Sequence, residues 1–584
     1  MDYRQGDELH LHGGRGVAVV ATVVAAAAWV TAAQGRSAAR VTVGAAPAAQ
    51  FPQNKQNEPA VAVDPAHPEL VAAGANDWID GAPCRSADVS KCIPPADVGE
   101  SGVYFSRDGG ATWVQPEYTG LTARDCTGEA PCEPHTGVIG TVPRFAEAGL
   151  VSAGDPAVAF GPALDAGGRF SWAAGSRLYY ATLASELASD SEEGADETFS
   201  VAVASTGDVT AAASGHDDAW TPPVLAAVPG DSHSYDKDAI WADDAATSPY
   251  FGSVYVCAAY FGDFNSDTIA VFRSRDAGAT WKGWNGFTSP HGLVWQGCTL
   301  RTDSHGVVYA FWLEISVWAP YARLMTSRSL DGGAHFTTPA GVARVAPVGI
   351  FDPLAGTMTF SGVGGPRTNN MPSIDIANGA PTGADAPNVM AVAWTNGPTP
   401  RAKSATKNER VALIVSRNGG AAWSRTTTAS PSRDRPDMPA VALSPDGNDL
   451  YLVYDNFLQQ WEASAAKRPQ LMQGVVRHAT LGLTGGPTNW TDVERGPVGD
   501  VRATSSIDLQ SAFIGDYNSV VASRGSAVAV WNDVRGAVDC AAVDRYRQSL
   551  ANGASPWGPA PATACPGGFG NSDVFALGIT PDAP

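Results

Sequence analysis

Short runs in which apolar and polar residues alternate recur along the chain from about residue 57. Residues 57–63 and 70–73 form the first pair of runs, and a turn containing Asp and Pro separates them. Alternation over this length, bounded by turn residues, predicts β-strands. Seven such pairs follow one another, and the modules that they form span residues 57–78, 154–172, 236–263, 297–314, 370–396, 437–455 and 515–533. The sequence therefore predicts an all-β protein built from seven repeated modules.

A second repeated pattern follows four of these modules. Its first copy is SRDGGATW at residues 106–113, and it returns at residues 274–281, 329–336 and 416–423, where Asn418 replaces the Asp. The Asp or Asn accepts hydrogen bonds from the N–H groups of the turn, and Gly supplies the positive φ that the turn requires. Each copy thus predicts a β-hairpin whose aromatic residue begins the next strand. Degenerate copies in the other three modules end at Trp220, Trp490 and Trp557.

The pattern S-x-D-x-G-x-x-W is the Asp box, so the chain resembles the sialidase-like (BNR/Asp-box) β-propellers of the secreted bacterial type. The resemblance covers residues 55–580 and implies a β-propeller of four-stranded antiparallel blades. One closing hairpin for each module favours seven blades, with the six of true sialidases as the alternative. A ring hides the strand edges that a linear array would expose, and residues 574–579 are expected to complete it.

The first 50 residues differ from the rest of the chain. Arg15 precedes an apolar run over residues 17–30, and Thr31-Ala32-Ala33 offers a small-residue cleavage site. This order predicts a signal peptide over residues 1–33, with an uncleaved N-terminal anchor as the alternative. We expect residues 34–50, which are Ala-rich, to be flexible and residues 51–584 to form a single propeller domain.

Charge and cysteine content indicate an extracellular protein. Thirty-eight basic and 59 acidic residues give a net charge of −21, which excludes nucleic acid as a partner because phosphate binding needs a basic face. Eight cysteines suit an oxidising compartment. Their spacing predicts disulfides between Cys84 and Cys92, Cys126 and Cys132, Cys257 and Cys298, and Cys540 and Cys565.

Propeller geometry is expected to collect carboxylates at one end of the central channel. The innermost strand of each blade starts at that end and the second strand finishes there, whereas the Asp boxes lie on the opposite face. Residues before the first strands include Glu58, Asp155, Asp238, Asp437 and Asp516, and residues after the second strands include Asp77, Asp263, Glu314, Asp455 and Asp533.

Three interpretations of these carboxylates remain open. Carboxylates that lie close together raise one another's pKa, which prepares an acid/base pair for glycosidic cleavage. They also suit a hard cation such as Ca²⁺. Alternatively, each side chain accepts backbone N–H bonds and fastens its blade to the next, which is what a position repeated in every blade predicts.

The resemblance carries specific expectations about activity. Sialidases hold the substrate carboxylate with three arginines and use a Tyr nucleophile activated by Glu together with an Asp acid/base. Their first arginine comes from an F/Y-R-I-P motif, whereas the corresponding place here is residues 51–54, FPQN, without an Arg. The residues available for binding substrate are Trp78, Arg367, Arg435 and Arg535. The residues available for catalysis are Glu58, Asp77, Asp155, Asp238, Asp437, Asp516 and Tyr517, with Asp77 or Asp516 as acid/base and Tyr517 or Glu58 as nucleophile.

The leading hypothesis is a secreted, exo-acting, sialidase-like glycoside hydrolase whose partners are extracellular glycans or glycoproteins. The alternative is a non-catalytic propeller that binds glycan or protein at the cell surface. We expect a monomer without an obligatory cofactor, and the sequence leaves a Ca²⁺ requirement open.

Overall fold

Seven β-sheets follow one another along the chain and close into a ring. A computed structural model describes residues 37–84, 97–126, 133–187, 198–230, 233–263, 266–316, 322–397, 409–459, 469–482 and 485–580. The inner strand of each sheet contacts the inner strand of the next, and that of the seventh contacts that of the first. This arrangement is an all-β, seven-bladed β-propeller, so the fold prediction is confirmed and the six-bladed alternative is wrong.

The predicted strand pairs are the two innermost strands of the blades. Blade one contains Gln56–Val63, Val71–Asp77 and Ser101–Ser106, and a bridge between Phe105 and Val114 takes its fourth place. Blades two to four contain Ala157–Leu164, Phe170–Glu186, Ser200–Thr206 and Val224–Ala227; Ser234–Ala242, Val254–Asp263, Ser266–Ser274 and Lys282–Thr288; and Leu293–Thr302, Val308–Ser316, Ala322–Ser329 and Ala340–Val345. Blades five to seven contain Ser373–Ile376, Met390–Asn396, Arg410–Ser416 and Thr427–Thr428; Pro436–Leu443, Asp449–Phe457, Leu471–Leu481 and Pro487–Arg495; and Ser519–Ala522, Ala527–Asp533, Asp573–Ile579 and Ala39–Arg40.

Blade seven combines strands from both ends of the described chain. The predicted closing strand, Asp573–Ile579, lies third in this blade, and Ala39–Arg40 pairs with it as the outermost strand. Val41 is fully buried beside it and donates its N–H to the Val574 carbonyl at 2.8 Å. Part of the segment expected to be flexible, residues 34–50, is therefore ordered, because a strand edge was available to pair with it.

The four Asp boxes form the predicted hairpins between third and fourth strands. Asp276 accepts the Thr280 N–H at 2.9 Å, and Asn418 accepts the Ala422 N–H at the same distance, so the exchange of Asp for Asn preserves the turn. Two of the degenerate copies also end at aromatic residues of outer hairpins or bridges, Trp220 and Trp490. The third does not, because Trp557 follows a helix and is 82% exposed.

The remaining elements lie in the connections. The connection between blades one and two contains the hairpin Tyr118–Thr122 and His135–Ile139, and Leu150–Ser152 adds to blade two. Ile350–Asp352 pairs with Thr357–Thr359, and Gly499–Asp500 pairs with blade six. The helices are Ala146–Ala148, Val209–Ala212, Asp217–Ala219, Val501–Ala503, Ala541–Ala551 and Pro561–Ala564. None of these described helices has both the length and the apolar character needed to cross a membrane.

Two of the predicted disulfides are confirmed. Cys257–Cys298 joins the second strand of blade three to the inner strand of blade four, and Cys540–Cys565 closes the helical connection in blade seven. Cys84 and Cys126 are also disulfide-bonded, but Cys92 and Cys132 lie outside the described residues. The signal peptide predicted over residues 1–33 also lies outside them.

Replacing both Cys257 and Cys298 by alanine is expected to lower the free energy of unfolding by about 2–4 kcal/mol, because the cross-link constrains the unfolded chain. Urea unfolding of the oxidised wild type and of the variant measures this difference. Replacement of both Cys540 and Cys565 is the matched control, since that bond lies in a connection and not between blades. An equal or larger loss of unfolding free energy in the control would show that the inter-blade bond stabilises the protein no more than the bond in the connection does.

Candidate functional site

The inner strands begin at one end of the channel with a repeated local sequence. In each blade, this sequence is a four-residue motif whose third residue is small and whose fourth is Val, Ile or Leu, as in Glu58-Pro59-Ala60-Val61. The first residue of the motif defines one position in each of the seven blades. We call these seven positions the mouth ring, and they are Glu58, Asp155, Lys237, Gly297, Met371, Met438 and Tyr517. Because the motif recurs in every blade, these seven residues occupy equivalent positions in the fold.

Five members of the mouth ring have left-handed backbone conformations. Their φ values lie between 50° and 63°, and the residues are Glu58, Asp155, Lys237, Gly297 and Met438. Four of the five coincide with β-bulges in which the pairing to the second strand shifts by one residue. Bulges re-aim side chains, and non-glycine residues adopt this conformation only where the surrounding structure enforces it. The backbone conformation at the start of these inner strands therefore sets the direction of the mouth-ring side chains.

The mouth ring is chemically asymmetric. Its polar members, Tyr517, Glu58, Asp155 and Lys237, occupy the consecutive blades seven, one, two and three. Blades four to six contribute Gly297, Met371 and Met438 instead. A purely fastening role predicts one residue type in every blade, whereas a site for a ligand or substrate needs different groups on different sides.

The Lys237 ammonium lies among four carboxylates. Its Nζ is 2.9 Å from Asp516, 3.2 Å from Asp155, 3.6 Å from Asp236 and 3.7 Å from Glu58. The lysine side chain is 8% exposed. Burial alone lowers the pKa of a lysine, yet the four carboxylates together raise the pKa of Lys237 well above its usual value. The ammonium therefore stays charged and holds the cluster together.

Arg367 covers the same cluster from the connection that precedes blade five. Its Nε is 2.7 Å from Asp516, its terminal nitrogen is 3.4 Å from Glu58, and its guanidinium lies over the Phe513 ring. The Arg367 side chain is 37% exposed, whereas the Glu58 side chain is 2% exposed. The guanidinium thus separates the acidic side chains from solvent.

The pKa values of neighbouring carboxyl groups in this cluster are shifted in opposite directions. Burial raises the pKa of Glu58 well above its usual value, and its side chain hydrogen-bonds Asp155. Although burial opposes it, Lys237 holds the pKa of Asp155 well below its usual value, and Arg367 with Lys237 lowers the pKa of Asp516. Burial raises the pKa of Asp236 to about 6. The mouth therefore places a carboxyl whose pKa is raised next to carboxylates whose pKa values are lowered, which is the combination that acid/base chemistry uses.

The structure brings most of the predicted site residues together. Glu58, Asp155, Asp516 and Arg367 are joined through Lys237 or directly, and the Lys237 ammonium lies 5.8 Å from the centre of the Tyr517 ring. Asp238 and Asp437 lie beside them at the same ends of the inner strands. Burial raises the pKa of Asp437 to about 8 and the pKa of Asp238 well above its usual value.

Asp77 has a different environment. Gln56, Tyr104 and Gln115 donate side-chain hydrogen bonds to its carboxylate, as does the Ile79 N–H, at 2.7–3.0 Å. Burial raises the pKa of Asp77 to about 6, although the three side-chain hydrogen bonds oppose the rise. With its oxygens engaged in this way, Asp77 joins parts of blade one, mostly through side-chain donors, whereas the structural interpretation expected backbone donors and a link to the next blade.

The other predicted binding residues make contacts within the fold. Trp78 lies against the buried Lys55 ammonium, whose pKa falls to about 8 because of burial. The Arg535 guanidinium pairs with both oxygens of Asp533, at 2.8 and 2.6 Å, and covers the Phe575 ring. The Arg435 N–H donates a hydrogen bond to the side-chain oxygen of Asn456, and the Arg435 carbonyl accepts one from the Phe457 N–H, both within blade six.

Two members of the cluster were missed by the sequence reasoning. Lys237 and Asp236 directly precede Asp238, which was predicted because it is a carboxylate before a strand. The mouth-ring motif contains the necessary signal, because Lys237-Asp238-Ala239-Ile240 aligns with Glu58-Pro59-Ala60-Val61. That alignment assigns Lys237 to the ring and Asp238 to the position after it.

Ca²⁺ does not fit the residues at the mouth. The Lys237 ammonium already occupies the point at which Glu58, Asp155, Asp236 and Asp516 converge. Among the residues that the structure describes, no group of three or more His, Cys, Asp or Glu side chains is arranged to hold a metal ion.

Comparison with solved structures finds other propellers at low identity. A Hadza microbial sialidase has 13% identity and a TM-score of 0.37, and the match covers 70% of this chain and 66% of that one. An α-L-arabinofuranosidase from Fusarium graminearum has 12% identity and a TM-score of 0.36, with 73% and 92% covered. A Trypanosoma rangeli sialidase has 14% identity and a TM-score of 0.35, with 69% and 52% covered, so this chain spans about half of its length.

No protein-family model matches the chain, and no curated protein sequence does. The fold is established by the closed ring of seven blades and by the four Asp-box hairpins, independently of these weak similarities. In architecture, the chain is similar to the sialidase-like β-propellers.

Proposed function

We propose that the protein is an extracellular glycoside hydrolase whose active site is the polar half of the mouth ring. The observation that supports this proposal is the contact between Glu58, whose pKa burial raises, and Asp155, whose pKa Lys237 lowers, with Asp516, whose pKa Arg367 and Lys237 lower, nearby. Glycosidic cleavage uses one carboxylic acid to protonate the leaving oxygen and a second carboxylate as base or nucleophile. Glu58 is the general acid in this proposal.

Asp516 is the proposed base or nucleophile. It lines the channel cavity, as does the neighbouring Tyr517, so a sugar entering the mouth would meet both. Asp516 is held ionised by Lys237 and Arg367. Tyr517 is the alternative nucleophile that the sialidase resemblance suggests, but burial raises the pKa of its hydroxyl well above the usual value. A carboxylate that is already ionised is the more effective of the two groups at neutral pH.

The arginine arrangement favours a neutral glycoside over a sialoside. A substrate carboxylate is best held by an unpaired guanidinium that can bind both of its oxygens. Arg367 already pairs with Asp516 and Glu58, and Arg535 already pairs with Asp533. An anionic sugar would therefore have to displace existing ion pairs, whereas a neutral sugar would not.

A non-catalytic binding propeller is the second candidate. The observation that favours it is the burial of the carboxylates, since Glu58 and Asp155 are 2% and 7% exposed and both contact Lys237. In that case the cluster would stabilise the centre of the propeller, and a partner would bind to the surrounding face.

A glycosidase panel distinguishes the two candidates. The purified secreted form is incubated with aryl glycosides of neutral sugars, including α-L-arabinofuranoside, and with an aryl α-sialoside, each with and without Ca²⁺. The proposal predicts turnover of at least one neutral glycoside, weaker turnover of the sialoside and no dependence on Ca²⁺. Failure to hydrolyse any of these substrates, together with binding to a glycan array, would support the non-catalytic candidate.

A further inference from the structure

Asn76 bridges two blades in the polar half of the mouth. It lies at the end of the second strand of blade one, directly before Asp77, and is half-buried. Its Oδ1 accepts the backbone N–H of Asp155 in blade two at 2.8 Å, and its Nδ2 donates to Oε2 of Glu58 at 2.8 Å and to Oδ1 of Asn57 at 3.0 Å. The amide therefore links the Glu58 carboxyl to the backbone that carries Asp155.

These contacts leave one orientation for the Asn76 amide. A backbone N–H can only donate, so the amide atom that faces the Asp155 N–H is the oxygen. The nitrogen then faces Glu58, and its two hydrogens go to the two side-chain oxygens that it contacts. Gly154 leaves space for this arrangement, because a Cβ at that position would lie 2.9 Å from the Asn76 oxygen. The neighbouring residues thus fix the position of the amide.

An equivalent asparagine in blade seven shows which of these contacts is specific to the Glu58 carboxyl. Asn532 is likewise the next-to-last residue of its second strand, and its Oδ1 accepts the Glu58 N–H of blade one at 3.0 Å. Its Nδ2 donates to the Tyr517 carbonyl and to Asn518, both within its own blade. Fastening one blade to the next therefore uses the side-chain oxygen, and the bond from Asn76 to the Glu58 carboxyl is additional.

The charged and titratable groups around Glu58 come from several parts of the fold. They are Lys55, Asp155, Lys237, Arg367, Asp516 and Tyr517. Lys237 and Arg367 approach Oε1 of Glu58 at 3.7 and 3.4 Å, whereas Asn76 approaches Oε2 at 2.8 Å. Asn76 thus holds one oxygen of the carboxyl while the two cations face the other.

We propose that Asn76 is the positioning residue of the general acid, and that its amide holds the Glu58 carboxyl in one orientation at the boundary with blade two. This inference rests on the proposed function, in which Glu58 protonates the leaving oxygen. A carboxyl that is held through one oxygen presents the other in a constant direction, and proton transfer depends steeply on such alignment.

The same hydrogen bond affects how readily Glu58 gives up its proton. A donor to a carboxylate favours the ionised form, so the Asn76 amide opposes the effect of burial, which raises the pKa of Glu58. Removing the amide therefore raises the pKa of Glu58 further. A residue that only fastened blade one to blade two would not have this effect.

Asn76→Ala tests the proposal in the purified protein with its best glycoside substrate. We expect kcat to fall by about 10- to 100-fold because the acid is misaligned, while KM changes by less than about threefold. The alkaline limb of the kcat/KM profile should move to higher pH, because the pKa of Glu58 rises. Loss of an inter-blade bond alone would lower the melting temperature and leave the alkaline limb unchanged.

Asn396→Ala is the matched control. Asn396 is buried at the end of the second strand of blade five, and its Oδ1 accepts the Ala346 N–H at 2.8 Å, the length of the bond between Asn76 and Asp155. Within the part of the chain that the structure describes, its side chain makes no hydrogen bond to Glu58. This variant should lose stability but keep the kcat and the pH profile of the wild type.

A carbon-13 NMR titration of labelled glutamate side chains follows Glu58 without any substrate, and Glu58→Gln assigns its signal. The titration should move to higher pH in Asn76→Ala. An unchanged titration, or equal losses of kcat in Asn76→Ala and Asn396→Ala, would overturn this inference. Absence of turnover in the wild type would instead overturn the proposed function, and the titration would still decide whether Asn76 controls Glu58.

Discussion

Replacing Lys237 by methionine is expected to lower the free energy of unfolding at pH 7 by about 3–5 kcal/mol, because it leaves buried carboxylates without their cation. Methionine keeps much of the side-chain volume, so the loss is electrostatic. Urea unfolding at pH 7 measures it. Lys282→Met is the matched control, since Lys282 is exposed and its replacement should change stability by less than about 0.5 kcal/mol.

The pH dependence provides a second measurement on the same variant. The lowered pKa values of Asp155 and Asp516 mean that their ion pairs contribute stability above the unfolded pKa of about 4 and lose it as the pH falls through the folded values. The difference between the wild type and Lys237→Met should therefore shrink below about pH 4. A loss of less than 1 kcal/mol at pH 7, or a difference that does not depend on pH, would show that the cluster is effectively solvated.

Lys237→Met also leaves the four carboxyl groups that contact the Lys237 ammonium without this cation. If the ammonium occupies the place of a cation, Ca²⁺ should raise the melting temperature of the variant and leave that of the wild type unchanged. Carboxylate oxygens are the ligands that Ca²⁺ prefers. Equal effects of Ca²⁺ on both proteins would indicate binding elsewhere.

Replacing Glu58 by glutamine is expected to reduce turnover of the best glycoside substrate by about 10²–10⁴-fold, because the amide cannot protonate the leaving oxygen. The fold should not be destabilised at pH 7, since burial raises the pKa of Glu58 and thus disfavours its charged form, and the amide introduces no charge. The measurements are kcat/KM and the melting temperature of the purified variant.

Asp77→Asn is the matched control for the Glu58 variant. Its carboxylate accepts four hydrogen bonds, so the amide should lower stability by about 1–3 kcal/mol while the folded fraction keeps its turnover.

In the wild type, kcat/KM should fall as the pH rises through the raised pKa of Glu58, and the glutamine variant should lack this decline. Unchanged turnover in Glu58→Gln would exclude it as the general acid.

Much of the fold could be predicted because the signals are local. Alternating runs and turn residues predict the strand pairs, and Asp boxes such as residues 274–281 predict hairpins through hydrogen bonds that span only four residues. The hairpin predicted at the degenerate copy that ends at Trp557 was wrong because that prediction, too, depended only on local signals. A turn sequence followed by Trp occurs there without neighbouring strands, and a helix, Ala541–Ala551, precedes it.

The candidate site could be predicted only in part. The position of the mouth follows from the repeat, which explains why Glu58, Asp155 and Asp516 were selected and lie together. The sequence gives no means of knowing that Asp77 accepts four hydrogen bonds or that Arg535 pairs with Asp533, because these contacts depend on side-chain directions. Arg367 approaches from a connection of the chain whose path no periodic pattern describes.

By itself, the sequence determined the class of fold, the seven modules, the outer hairpins and the face on which polar residues gather. These properties depend on side-chain alternation and turn chemistry, which act over a few residues. Only the tertiary structure decided that one lysine contacts four carboxyl groups and that the pKa values of Glu58 and Asp155 shift in opposite directions. Those properties depend on burial and on distances between residues far apart in the chain, and they arise only when the ring closes.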